Sequence, residues 1–133
     1  MNNEKENNKP VVIVVDENSK PCGVEIRTLD TQFTIALKDA PGSYTWNDAM
    51  EKYRDQLPNK KQASIICAYI NEINEALRSA GGKKLDSWYW TNAEYDANFA
   101  WLYHGSVGGL TYGHKRSTYS VRPVLAFKTS NSI

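Results

Sequence analysis

The sequence predicts an α+β fold in which two helices pack on small antiparallel sheets, and three observations lead there. Before residue 40 the chain is β-branched or alternates apolar with polar residues; residues 45 to 79 carry apolar stripes at helical spacing; beyond Leu85 only short strand-like segments remain, separated by Gly, Asn and Ser. Strands, then helices, then an all-β half is the order of an α+β domain and not of a βαβ repeat. No period of about 20 to 50 residues recurs, which excludes solenoids and propellers. A chain of 133 residues, 41% hydrophobic and 11% aromatic, is the size of one domain able to close a core.

Residues 1 to 9, MNNEKENNK, are polar and Asn-rich and are read as a disordered arm, with a single domain over residues 10 to 133. VVIVV at residues 11 to 15 has the length and β-branching of a buried strand, and ENSKP supplies the turn after it. GVEIRTL (23 to 29) and QFTIALK (32 to 38) alternate and are joined by Asp30 and Thr31, which predicts a β-hairpin with one face on the core. APGS breaks that pattern. A helix over about residues 45 to 56 follows, with Trp46, Ala49, Met50, Tyr53 and Leu57 on its stripe, Thr45 and Asp48 at its start and Pro58 after its end. The second helix is predicted over residues 61 to 79 through Ile66, Tyr69, Ile70, Ile73 and Leu77, ending at Gly81 and Gly82.

The charge balance, 16 Lys and Arg against 15 Asp and Glu, leaves no basic footprint for nucleic acid, so no nucleic-acid partner is expected. VVIVV is too short to be a membrane span or the core of a signal peptide, so neither membrane insertion nor a leader is expected. Cys22 and Cys67 lack any zinc spacing and read as free structural thiols. His104, His114 and Asp96 do not have the spacing of a metal triad, and GSVGG at 105 to 109 leads into no helix that would cradle a phosphate. GSVGG reads as a turn between strands, and no metal or cofactor is expected. The charges of EKYRD and KK read as solvated helix faces.

The stretch from Trp90 to Val121 has a different vocabulary. Trp90, Trp101 and a strand over Val121 to Phe127 read as core. Asn92, Asp96, Phe99, Tyr103, His104, Ser106, Tyr112, His114, Arg116, Thr118 and Tyr119 read as a contact surface, because rigid amphipathic rings supply area and small polar groups supply adaptable hydrogen bonds. An ordinary polar sheet face would favour Lys, Glu and Thr. Glu94 and Arg122 stand in apolar or aromatic surroundings, which predicts that they are paired, or bonded to backbone, within the C-terminal half as a scaffold clamp.

The same residues carry a resemblance. LDSWYWTNAEYDANFAW and GGLTYGHKRSTYSVRPVLAF resemble the C-terminal signature of the major paralogous domain first described in Fibrobacter and common in gut Bacteroides and their phages. That signature runs from a Trp-Ser-Ser-Thr-Glu-Tyr opening through an Ala-Trp to an Arg-Pro-Val ending. Trp90 to Tyr95, Ala100 with Trp101, and Arg122 to Val124 stand at those positions, and residues 23 to 50 are similar to the family's beginning. The resemblance implies a C-type-lectin-like fold, related to formylglycine-generating enzymes and to the variable proteins of diversity-generating retroelements. In the latter, adenine-directed mutagenesis rewrites a C-terminal segment that forms a ligand-binding face. Phe99, His104, Ser106, His114, Arg116, Thr118 and Tyr119 are reachable from AAC or AAT codons by such mutagenesis, whereas Glu94, Trp101 and Lys115 among them are not.

Two departures limit what carries over. LPNKKQA stands where the family has LPTKEEW, so a scaffold Trp is missing at the start of helix two. The C-terminal half has no cysteine and no Glu-Pro-Asn or Gln-Pro-Asp motif, so neither formylglycine chemistry nor calcium-dependent sugar binding is transferred. The expectation is a non-enzymatic protein of the cell exterior, cell surface or virion that holds a protein or glycan ligand on residues 92 to 119, with oligomerisation left open. Its alternatives are a structural decoration subunit and a formylglycine-generating type of enzyme.

Overall fold

The computed structural model describes residues 9–106 and 108–126. These residues form seven strands and three α-helices arranged on two small antiparallel sheets, so the chain is α+β. Nearly all of the arm expected over residues 1 to 9, and Phe127 of the expected C-terminal strand, lie outside the described residues.

The first sheet contains β1 (Val11–Val15), β2 (Pro21–Arg27), β3 (Gln32–Ile35) and β7 (Val124–Leu125), in the order β1-β2-β3-β7. The hairpin is where alternation placed it: Arg27 stands opposite Gln32, and the Thr28 amide donates to the Thr31 carbonyl at 2.8 Å. Val24, Ile26, Phe33 and Ile35 are buried on its core face. VVIVV is not the buried strand its composition predicts. Among the described residues it is the sheet's edge, with Ile13 38% and Val15 50% exposed, because no further described strand pairs with its outer side. Of the described residues in the expected Val121 to Phe127 strand, Val124 and Leu125 pair with β3.

Helix α1 (Trp46–Tyr53) starts at Thr45, whose hydroxyl accepts from the Asp48 amide, and a 3-10 turn (Arg54–Gln56) continues it to Pro58. The long second helix is instead two, α2 (Lys60–Ala68) and α3 (Ile70–Ser79). At Tyr69 the backbone leaves helical geometry (φ −113°, ψ 26°), and its amide is shared between the Ile65 and Ile66 carbonyls. No Pro or Gly marks the break. It lets α2 lie on the second sheet and α3 on the first. Asn59 and Gln62 form a reciprocal capping box at the start of α2. Gly81 (φ 78°) closes α3: its amide reaches the Arg78 carbonyl and that of Gly82 the Leu77 carbonyl, the paired bonds that let a left-handed residue end a helix.

The second sheet has β4 (Trp88–Glu94), β5 (Phe99–His104) and β6 (Gly109–His114) in sequential order. Two apolar clusters hold the layers together. One joins β2 and β3 to Ile66, Ile70, Ile73, Leu77, Tyr89 and Tyr103. The other gathers Tyr44, Ala49, Leu57, Ala100, Leu102 and Val121 around Trp90. The Trp90 indole is fully buried and donates to the Tyr44 carbonyl at 2.7 Å. Gly113 is required beneath it, since a Cβ there would stand 2.6 Å from Leu102 Cδ1 and 2.9 Å from the Tyr119 ring.

Arg122 is completely buried. Its Nε donates to Asp39 Oδ1 at 2.8 Å, Nη1 to the Ala36 and Leu37 carbonyls, and Nη2 to those of Lys83 (2.7 Å) and Lys84. Glu94 takes no part. It is exposed and pairs with Lys115 inside the C-terminal half, as expected, whereas the Arg122 clamp reaches beyond that half to tie the end of the hairpin to the segment after α3. Tyr103, expected on the surface, is also fully buried and stacks on Tyr89 at 5.2 Å, and its hydroxyl has no hydrogen-bond partner. Burial raises both phenols above the usual range, that of Tyr103 well above it.

Two stability experiments follow from this packing. Lys at position 122 keeps the charge but not the planar five-donor fork, so Arg122→Lys is expected to lower unfolding free energy by about 3 kcal/mol in urea titration. Tyr103→Phe removes an unpaired buried hydroxyl, and the same titration should show stability unchanged or raised by up to about 1 kcal/mol.

Candidate functional site

Side chains alternate along β5, so Phe99, Trp101 and Tyr103 share one face with their cross-strand partners His114, Tyr112 and Leu110 on β6. Helix α2 crosses that face at one end only. Tyr103 and Leu110 lie beneath it in the core, while Phe99, Trp101, Tyr112 and His114 lie beyond its first turn. Burial of Tyr103 thus corrects its reading as a ligand anchor, and Trp101, half-buried and outside both apolar clusters, corrects its reading as core.

The uncovered end is an aromatic platform. Tyr95, from the turn after β4, stacks flat on Tyr112 with centroids 4.1 Å apart and planes 5° from parallel, and the two rings are 47% and 46% exposed. Trp101 meets Tyr95 edge-on at 5.4 Å, and Phe99 stands edge-on to Tyr112 at 5.4 Å and to His114 at 5.2 Å. Lys60, at the start of α2, lies 3.9 Å above the Trp101 ring. That lysine is more than a solvated helix charge: its ammonium sits on the π face of a platform ring.

Turns on either side hold the platform. The Asp96 carboxylate accepts from the Asn98 and Phe99 amides at 2.8 and 2.9 Å, so this residue shapes the β4–β5 turn. Lys115, its side chain 13% exposed, pairs with Glu94, donates to the Ala97 carbonyl at 3.1 Å and lies 4.7 Å over Trp46. Past it, Arg116 and Thr118 project from an exposed loop whose Arg116 and Ser117 amides bond back to His114.

The other predicted residues do not join them. Tyr119 is half-buried, edge-on to Trp90 at 5.0 Å, and serves the core. His104 and Ser106 lie at the opposite end of β5, about 17 Å away by strand rise, where His104 meets Trp88 edge-on at 4.5 Å. Asn92 is carried outward by an irregularity in β4 between Trp90 and Glu94, where Thr91 turns its hydroxyl to the Trp101 carbonyl, and it lines a separate groove of about 510 Å³ with Arg54 and Asp55. One continuous face over residues 92 to 119 therefore becomes a platform of Tyr95, Phe99, Trp101, Tyr112 and His114, rimmed by Lys60, Arg116 and Thr118.

Sequence reading missed Tyr95 and Lys60. Tyr95 was legible as the aromatic directly after β4; the position of Lys60 depends on where α2 crosses the sheet.

Chemically, the platform offers π faces, one seated cation and exposed polar groups. Among the described residues no cluster of His, Cys, Asp or Glu is placed to hold a metal ion. Both cysteines are free. Burial pushes the Cys67 thiol up to about 11, and burial followed by the nearby Asp16 raises Cys22, the reverse of what activates a thiolate. No helix of the described residues is long and apolar enough to cross a membrane. Comparison of the chain with protein-family models and with curated proteins finds no match.

Proposed function

We propose that this is a non-enzymatic binding protein with a C-type-lectin-like fold, acting at the cell exterior or on a virion, and that its ligand seats on the platform of Tyr95, Phe99, Trp101, Tyr112 and His114. The observation that carries the reading is the stacked, half-exposed Tyr95–Tyr112 pair beside Trp101. Large rings left in water at one end of an otherwise packed sheet are costly unless something covers them in use. Rings fixed by their neighbours lose little entropy on binding, and the exposed loop beside them adds adjustable polar contacts. That mixture fits a protein surface best, with glycan as the other ligand class to screen. The raised thiols speak against a formylglycine-generating type of enzyme.

The resemblance of residues 23 to 127 to the Fibrobacter-type domain supports a second element of the reading, a diversified rim. Phe99, His114, Arg116 and Thr118, reachable by adenine mutagenesis, surround Trp101 and Lys115, which are not.

Screening on protein and glycan arrays should return a ligand whose affinity falls about thirtyfold in Tyr112→Ala and Trp101→Ala, as for hot-spot residues. Ser106→Ala, at the far end of β5, should bind as the parent does; equal loss in all three would remove the platform from the account. Deep sequencing of the locus in its native population should find codon differences concentrated at positions 99, 112, 114, 116 and 118, and uniform codons there would rule out diversification.

A further inference from the structure

The outer edge of β1 carries a second interaction surface. Edge strands in stable proteins are usually guarded by a charge, a proline or a bulge, because their outward N–H and C=O groups are a template for another strand. Between residues 11 and 15 β1 has none of these. The register irregularity of the β1–β2 pair skips Cys22 on β2, which leaves β1 itself regular. Val11, Ile13 and Val15 share the core face with Val24 and Ile26, yet Ile13 and Val15 are 38% and 50% exposed because α3 covers only the Val11 end of the strand.

We propose that β1 pairs antiparallel with β1 of a second copy of this chain about a two-fold axis at Ile13. Two features select this occupant and direction. Centred on Ile13, the pairing sets Val11 against the other copy's Val15 and Val12 against its Val14, and it brings Lys9 to the acidic Asp16 and Glu17 that follow the partner strand. The run KPVVIVVDE is thus charge-complementary to itself when antiparallel, whereas a parallel pairing would set lysine against lysine and acid against acid. The second feature is a groove of about 520 Å³ between the start of β1 and α3, lined by Pro10, Val11, Glu72, Glu75 and Ala76. The register brings the partner's exposed valine beside Val11 at this groove, where the ridge left by one copy meets the hollow left by the other. The sheet then runs continuously through eight strands, and the closed two-fold stops growth at the dimer. Such a dimer would carry two aromatic platforms, but the pairing rests on nothing in the ligand-binding reading.

Sedimentation equilibrium of the full chain from 5 to 500 μM is expected to show a monomer–dimer equilibrium with Kd on the order of 50 μM, the weak class to which small interfaces belong. Ile13→Lys should leave a monomer. Lys9→Glu and Glu17→Lys should each weaken the dimer about tenfold, and the double reversal should restore it to within about threefold of the parent. These side chains are exposed, so each variant's unfolding curve should match the parent's and separate lost pairing from lost folding. A monomer at every concentration, growth beyond a dimer, a dimer indifferent to Ile13→Lys, or a double reversal no better than the singles would each overturn the proposal.

Discussion

The rest of the structure depends on one guanidinium. A buried Arg is destabilising unless every donor is used, and Arg122 directs its donors to one carboxylate and four carbonyls drawn from two distant segments. Those acceptors belong to the exit of the β2–β3 hairpin and to the chain after α3, neither of which is continued there by regular secondary structure. Without the guanidinium four carbonyls and Asp39 would each lose a donor, and the two segments would lose the side chain that joins them. Pro123 fixes the backbone after it and offers its carbonyl to the Ala36 amide at 2.9 Å, so the segment that brings β7 back to β3 is anchored from both sides. The Asp39–Lys83 contact at 3.3 Å adds a second, more exposed tie between the same two segments.

That anchor sets the geometry of the site indirectly. With residues 120 to 123 held against the first sheet, the Ser120 carbonyl accepts from the Trp90 amide, and β4 is aligned beside this segment. Trp90 then reaches the Tyr44 carbonyl, Trp46 reaches the Thr91 carbonyl at 2.9 Å, and the second sheet is locked to the entry of α1. What remains free is the corner of that sheet beyond the first turn of α2. The break at Tyr69 matters here: it divides the helical layer so that α2 follows the second sheet while α3 follows the first. Platform and core are two ends of one strand face, divided by the point where a helix begins.

Local features were legible in the sequence and long-range ones were not. The hairpin, Thr45 at the start of α1, the stop at Pro58, Gly81 after α3 and the return of the chain from β5 to β6, where the Gly108 amide donates to the His104 carbonyl, all follow from interactions within a few residues. Membership of Phe99, Tyr112 and His114 in a surface of unusual composition was legible for the same reason. Misassignments arose where partners lie far apart in sequence. Trp101 and Tyr103 have the same strand parity, and only the path of α2 decides that one is uncovered and the other sealed. Arg122 could be recognised as a charge needing partners, yet Asp39 is 83 residues away and nothing local singles it out. VVIVV reads as a buried strand by composition, because β-branching reports backbone preference and not whether a neighbouring strand exists.

The loop beyond His114 has a property that bears on how such a site changes its ligand. Its course is set by main-chain groups: the Lys115 amide donates to the Asn98 carbonyl at 2.9 Å, the Trp46 amide to the Lys115 carbonyl at 3.1 Å, and the Ser117 amide to the His114 carbonyl at 2.9 Å. The side chain with structural work in the loop is Lys115, which spans Glu94, Ala97 and Trp46. Arg116, Ser117 and Thr118 are exposed, and the bonds that shape the loop around them use their backbone. A loop specified by its backbone, one inward lysine and the His114 ring nitrogen that accepts from the Arg116 amide tolerates exchange of its outward side chains at small cost, since substitutions of exposed side chains outside such bonds change stability little. The platform is the opposite case. Its rings pack on one another, so a change at Tyr112 removes contacts to Tyr95, Phe99 and Trp101 together. Exchange at residues 116 to 118 can therefore alter what the surface recognises while the rings stay in place, whereas exchange at Phe99 or Tyr112 remodels the platform itself.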